Sequence, residues 1–133
     1  MKKSLSFIVS LLVSGWLMAQ MVAGPMVGHV EFRTATIWMH LDPSIREVSV
    51  QYIEKNLADK AAQQVKVSLP GGEFNIATAL LSGLEPGKTY NYSIYTGKGP
   101  AIAQGEVRTQ SLWQWRTKAP DFSFLAGSCH FTN

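Results

Sequence analysis

Leu84-Glu85-Pro86-Gly87-Lys88-Thr89-Tyr90 joins an apolar anchor, a Pro-Gly corner and a tyrosine that opens a strand. This is the layout of a tyrosine corner, in which the phenol hydrogen-bonds back to the corner backbone while its ring joins a sandwich core. Tyr92 and Ile94 continue the same inward face, so a strand is predicted over Tyr90–Tyr95. Working outward, strand-like runs recur at short spacing: Met26–Val30, Ala35–Leu41, Val48–Ile53, Val65–Leu69, Phe74–Leu81 and Ile102–Thr109. In the second of these Ala35, Ile37 and Met39 share one face and Trp38 the other. Val65, Val67 and Leu69 alternate with Lys66 and Ser68, which gives that strand one wet face. Glu31–Arg33, Asp42-Pro43-Ser44 and Pro70-Gly71-Gly72 supply turns. One stretch, Asn56–Gln64, is ambiguous between helix and loop. Seven short strands in about 85 residues predict an all-β, two-sheet sandwich.

The chain has 133 residues, 12 Lys+Arg, 9 Asp+Glu, three His and one Cys. That length bounds the polypeptide to about one domain. With 46% apolar and 16% charged residues it is globular rather than disordered. Setting aside Lys2 and Lys3, which lie in a leader, leaves ten basic residues against nine acidic ones, scattered along the chain. No nucleic-acid footprint is present. A single cysteine excludes an intrachain disulfide framework.

Residues 1–23 read as a secretory signal peptide: Met1-Lys2-Lys3, an apolar run from Leu5 to Met18, then small residues. Cleavage is expected after Ala19 or after Ala23, and the protein is expected to be exported to periplasm, cell surface or medium. Uncleaved, the apolar stretch Leu5–Val22 is just long enough for one membrane span, so the signal segment is the sole membrane contact expected.

Three motifs argue for chemistry and do not survive scrutiny of their context. Ser82-Gly83-Leu84-Glu85-Pro86-Gly87-Lys88-Thr89 nearly matches a phosphate-cradling loop, but Ser82 stands where the first Gly belongs and Pro86 removes an N–H. A strand follows it instead of a helix. His29 and His40 sit on neighbouring predicted strands without a third ligand, so they read as surface histidines. Asn91-Tyr92-Ser93 fits a glycosylation acceptor but falls inside a strand.

After Thr109 the pattern changes. Gln110–Pro120 reads as a linker carrying Trp113 and Trp115, aromatics that call for a covering surface. Asp121–Ala126 reads as a buried strand, and it ends in Gly127-Ser128-Cys129-His130. Gly24-Pro25-Met26-Val27-Gly28, Ala35-Thr36-Ile37-Trp38, the Gly83–Tyr90 corner, Gly105-Glu106-Val107-Arg108-Thr109 and Phe124-Leu125-Ala126-Gly127-Ser128-Cys129 occur in that order. The corner resembles that of fibronectin type III-like sandwiches. The whole succession resembles the start of an alkaline phosphatase D (PhoD-like) metallophosphoesterase.

The resemblance implies residues 24–109 as the N-terminal fibronectin type III-like domain, 110–120 as a linker and 121–133 as the first strand of an α/β metallophosphoesterase domain. It implies metal-dependent phosphate ester hydrolysis by a full-length protein whose centre holds iron and calcium. Cys129 is then a metal ligand, since a thiolate can hold a metal that polarises phosphate oxygens. The family usually has Gln or Asn after the Cys, and His130 at that position is a further candidate ligand. The other ligands lie beyond residue 133, so no catalytic residue, no bound cofactor and no turnover are expected of this chain alone. Its expected partner is its own catalytic domain. Two other readings stand beside this one: a stand-alone secreted binding module, and a membrane-tethered spacer. Without the resemblance, Cys129 reads as a small buried hydrophobe.

Overall fold

Alternation of buried and exposed residues gives most strands one inward face, and two such sheets stack with those apolar faces together. The computed structural model describes residues 20–57, 61–113, 118–119 and 121–124. Its strands are β1 (Met21–Val30), β2 (Ala35–Leu41), β3 (Glu47–Glu54), β4 (Gln63–Ser68), β5 (Ile76–Leu81), β6 (Thr89–Tyr95) and β7 (Ala103–Arg108). They form a three-stranded sheet β1-β2-β5 and a four-stranded sheet β4-β3-β6-β7, with antiparallel neighbours throughout. There is no helix among the described residues, as the sandwich reading requires. Of the ambiguous Asn56–Gln64 stretch, Asn56 lies in a turn, Gln63 and Gln64 already belong to β4, and 58–60 fall outside the described residues.

Ala35, Ile37, Met39 and Leu41 of β2 are fully buried, and they face Val48, Val50 and Tyr52 of β3 and Tyr90, Tyr92 and Ile94 of β6. Ala77, Ala79 and Leu81 complete the inner face from β5. Small alanines opposite large side chains let the two layers interdigitate. The Tyr52 hydroxyl donates to Ser82 O at 2.9 Å, tying the four-stranded sheet to the end of β5. Val65 and Val67 are only half-buried, because β4 lies at a sheet edge.

Most strand ends lie within one or two residues of the sequence expectation, and two of the shifts have a plain physical cause. The first strand starts at Met21 rather than Met26. Gly24 and Pro25 read as breakers in a linear sequence. β1, however, is an edge strand, where the missing proline N–H is tolerated, and its register shifts around these residues. The fifth strand starts at Ile76 rather than Phe74. Phe74 is exposed, and Asn75 turns inward with no exposure at all. Asn75 Oδ1 accepts from Gly71 N–H at 2.9 Å, and its Nδ2 donates to Asp42 O at 2.8 Å and Ile45 O at 2.9 Å. One side chain thus fastens the β4–β5 loop to the β2–β3 loop.

The β2–β3 loop also carries a titratable lock. The Asp42 carboxylate accepts from the Ser44 hydroxyl at 2.5 Å and the Ser44 N–H at 2.9 Å, and these bonds hold its pKa below the usual value. The unfolded chain therefore binds the proton more tightly than the folded one. This contribution to stability is present above the unfolded carboxylate range, roughly pH 4, and is lost as pH falls through the depressed folded value. Urea midpoints measured from pH 6 down to pH 2.5 are expected to fall more steeply for the wild type than for Asp42→Asn. Parallel curves for the two proteins count against the lock.

Candidate functional site

The corner that decided the fold is also where the chain leaves the sandwich. Tyr90 is 5% exposed, and its hydroxyl oxygen accepts the Glu85 N–H at 2.8 Å. Thr109, buried at the end of β7, closes the same corner. Its N–H donates to Lys88 O at 2.9 Å, its hydroxyl donates to Glu85 O at 2.6 Å, and that hydroxyl accepts Lys88 N–H at 3.0 Å. Gly87 has φ +72, and a Cβ there would press on Ser111 Oγ at 3.1 Å, so this turn needs a glycine. Lys88 Nζ sits 3.1 Å from Glu54 Oε1, and that hydrogen bond raises the lysine pKa.

The resemblance to a phosphate loop ends here. Leu84 N–H donates to Arg33 O, Glu85 N–H to Tyr90 Oη, Gly87 N–H to Gln110 O and Lys88 N–H to Thr109 Oγ1. Pro86 has no N–H to offer. Every backbone donor from 84 to 88 is therefore committed to the fold, and none is left for an anion.

Gln110 is held by three bonds: its N–H to Glu31 O at 3.3 Å, its Nε2 to Val30 O at 2.8 Å, and its carbonyl from Gly87 N–H at 3.0 Å. The tail thus departs from the turn between β1 and β2. Beyond it Leu112, Trp113, Phe122 and Phe124 are 58%, 39%, 86% and 78% exposed. Trp113 and Phe122 line an open apolar hollow with Gln110, Ser111 and Ala119. Asp121–Phe124 form no strand pairing, and the rest of the expected strand lies outside the described residues.

Cys129, His130 and Trp115 also lie outside the described residues. Among the described residues no group of three His, Cys, Asp or Glu side chains could hold a metal ion. His29 Nε2 pairs with Glu31 Oε1 at 2.9 Å, a bond that lowers the Glu31 pKa. His40 Nε2 donates to Glu73 O at 3.0 Å. His29 lies level with Thr36, four residues from His40 along β2, or roughly 13 Å. The two histidines share no site. Asn91 is exposed on β6 with Tyr92 buried behind it, so the glycosylation triplet is indeed inside a strand.

The two outer faces are unlike each other. Across the four-stranded sheet, Gln64, Gln51, Ser93 and Gln104 stand in one row. Beside that row lies an open polar hollow of about 500 Å³ lined by Asn91, Ser93, Gln104, Gly105 and Glu106. A Cβ at Gly105 would run into the Tyr92 ring, so the glycine lets that ring lie over β7. Across the three-stranded sheet, Trp38 stands between Met26 and Thr78, with Ile76 and Leu80 on its diagonals. Sequence reading put Trp38 on the outer face but missed the partners that make it a patch.

A family model described as "Domain of unknown function (DUF7800)" matches residues 18–111, most of the chain. The chain belongs to the DUF7800 family. The DUF7800 region opens just before β1 and closes after Gln110, so it coincides with the hydrogen-bonded sandwich. No curated protein matches the sequence. Among solved structures, the DUF7800 sandwich is similar to PhoD, with a TM-score of 0.56 and 18% identity over 74% of this chain but 20% of that one. The sensor domain of the anti-sigma factor RsgI4 in Pseudobacteroides cellulosolvens gives a TM-score of 0.55 at 13% identity, over 80% and 89% of the two chains. The fn3 domain of human collagen alpha-1(XX) gives 0.51 at 20% identity, over 82% and 100%. At these identities the likenesses show a fibronectin type III-like fold and nothing further.

Proposed function

We propose that this DUF7800 sandwich is the N-terminal domain of an exported PhoD-like phosphatase. The observation that carries this reading is the ordered run of motifs that passes through the tyrosine corner and ends in Gly127-Ser128-Cys129. The likeness to PhoD agrees with it, because there too the matching sandwich is a minor part of a longer chain. In this reading the described residues do no chemistry and build no metal centre. They fix the exit of the chain at Gln110, and through it the domain that bears Cys129, with His130 as a second candidate ligand. Iron and calcium bound there would supply the Lewis acidity for phosphate ester hydrolysis.

Export fits the sandwich best with cleavage after Ala19. Gln20 O accepts the Asp42 N–H at 3.0 Å, and Thr96 Oγ1 donates to Gln20 Oε1. Cleavage after Ala23 would remove Met21, which pairs with Leu41 and packs on the core.

The test reads the gene past codon 133 and expresses the product with its leader in an exporting host. The expected protein begins at Gln20 and hydrolyses p-nitrophenyl phosphate. A chelator abolishes its turnover, and Cys129→Ala lowers it at least about tenfold, while residues 20–133 alone are inactive. A stop directly after codon 133, or a longer product without metal-dependent turnover, overturns the reading. The stand-alone binding module then takes its place. The RsgI4 likeness favours a binding role of that kind, since the sandwich matched there is a sensor domain of an anti-sigma factor.

A further inference from the structure

The outer face of β1-β2-β5 presents Ala23, Met26 and Gly28, then Thr36, Trp38 and His40, then Ile76, Thr78 and Leu80. It carries no Lys, Arg, Asp or Glu, and its one titratable ring, His40, is turned to Glu73 O. Met26, Ile76 and Leu80 are 54%, 44% and 53% exposed around the half-buried Trp38. The opposite outer face is paved with amides and hydroxyls and bordered by the Lys55–Glu106 and Lys66–Glu47 ion pairs. A solvent-facing sheet is normally polar and its edge strands charged. The polar face obeys that rule and the Trp38 face does not.

Size decides what kind of partner the face fits. Three strands about 4.8 Å apart and about five residues tall give roughly 250–300 Å². A stable interface between free proteins needs about 800 Å² on each side. Domains joined in one chain make do with about 300–750 Å² a side, because the tether holds the partner at millimolar effective concentration. The tether is in the right place. Gln110 is bonded to Val30 and Glu31, on the turn between the two strands that present Met26 and Trp38. Trp38 lies three residues into β2, about 10 Å from that turn.

We propose that the Trp38 face seats the domain that follows residue 121 in the same polypeptide, an inference that rests on the phosphatase reading above. The occupant is an uncharged apolar patch on that domain, held by the linker at one edge of the sheet.

Hydroxyl-radical footprinting read by mass spectrometry tests it, on the longer gene product and on residues 20–133 alone. Met26 and Trp38 are expected to be oxidised readily in the short chain and at least about fivefold more slowly in the long one. Met39, fully buried, is the internal control and stays protected in both. Equal rates at Met26 and Trp38 overturn the docking while leaving the phosphatase reading intact. Protection in the short chain that grows with its concentration assigns the face to a second copy and also overturns it. A gene that ends at codon 133 removes the phosphatase reading and the docking together.

Discussion

Replacing Asn75 by Ala is expected to destabilise the sandwich by about 3–4 kcal/mol, which corresponds to a fall in Tm of about 20 °C. The side chain is fully buried and makes three hydrogen bonds, to Gly71 N–H, Asp42 O and Ile45 O. Removing it strands all three backbone groups, at about 1–3 kcal/mol for each that water fails to reach. Such a loss is a large share of the roughly 5–10 kcal/mol that holds a domain of this size. Asn75→Asp separates the hydrogen-bond account from a simple loss of volume. A carboxylate still accepts from Gly71 but points charge at two carbonyl oxygens, so at neutral pH this variant is no more stable than Asn75→Ala. On acidification the protonated acid regains one donor. The buried aspartate has a folded pKa above its unfolded value, so its stability deficit shrinks as pH falls. Urea denaturation of both variants at pH 7 and pH 5 checks this. A cost below about 1 kcal/mol for Asn75→Ala removes the clasp from the account of what joins the two loops.

Asn75 also marks where sequence reading stops. The strands were legible because burial imposes a period of two, and Ile37, Val50, Tyr92 and their neighbours obey it. The tyrosine corner was legible because its parts are local: Leu84, the Pro-Gly turn and Tyr90 lie within seven residues. Asn75 was not, because its partners Asp42 and Ile45 are about thirty residues away. Its one sequence signal is an amide in a run, Phe74–Leu81, whose other polar residue, Thr78, is a β-former. The start of β1 was missed for a different reason: tolerance of Pro25 depends on edge position, a fact of topology. The Trp38 face needed register, since Met26 and Leu80 reach Trp38 only once three strands are aligned. The candidate metal ligands Cys129 and His130 remain a matter of motif, since both fall outside the described residues.

Leu84→Ala tests the corner at its apolar foot, and its expected cost is about 3 kcal/mol, or about 15–20 °C in Tm. Leu84 has no exposed surface although it sits in a loop, one residue after Gly83 at φ +69. Its side chain belongs to the same buried core as Tyr90, and its N–H donates to Arg33 O, so truncation opens a cavity beside the bonds that join the sheets, Tyr52 Oη to Ser82 O among them. Tyr90→Phe keeps the ring and removes only the acceptor for Glu85 N–H, an expected cost of about 1–1.5 kcal/mol. The order of the two effects is the informative part. If Tyr90→Phe costs more than Leu84→Ala, the corner is held by its hydrogen bond, and the apolar anchor is secondary. If the expected order holds, hydrogen exchange at Gly87 and Lys88 should quicken in both variants, because both loosen the turn that bonds Gln110 and Thr109. Only Leu84→Ala should also quicken exchange in the central strands β2 and β3, since a cavity weakens the whole core while a lost phenol hydroxyl frees one turn.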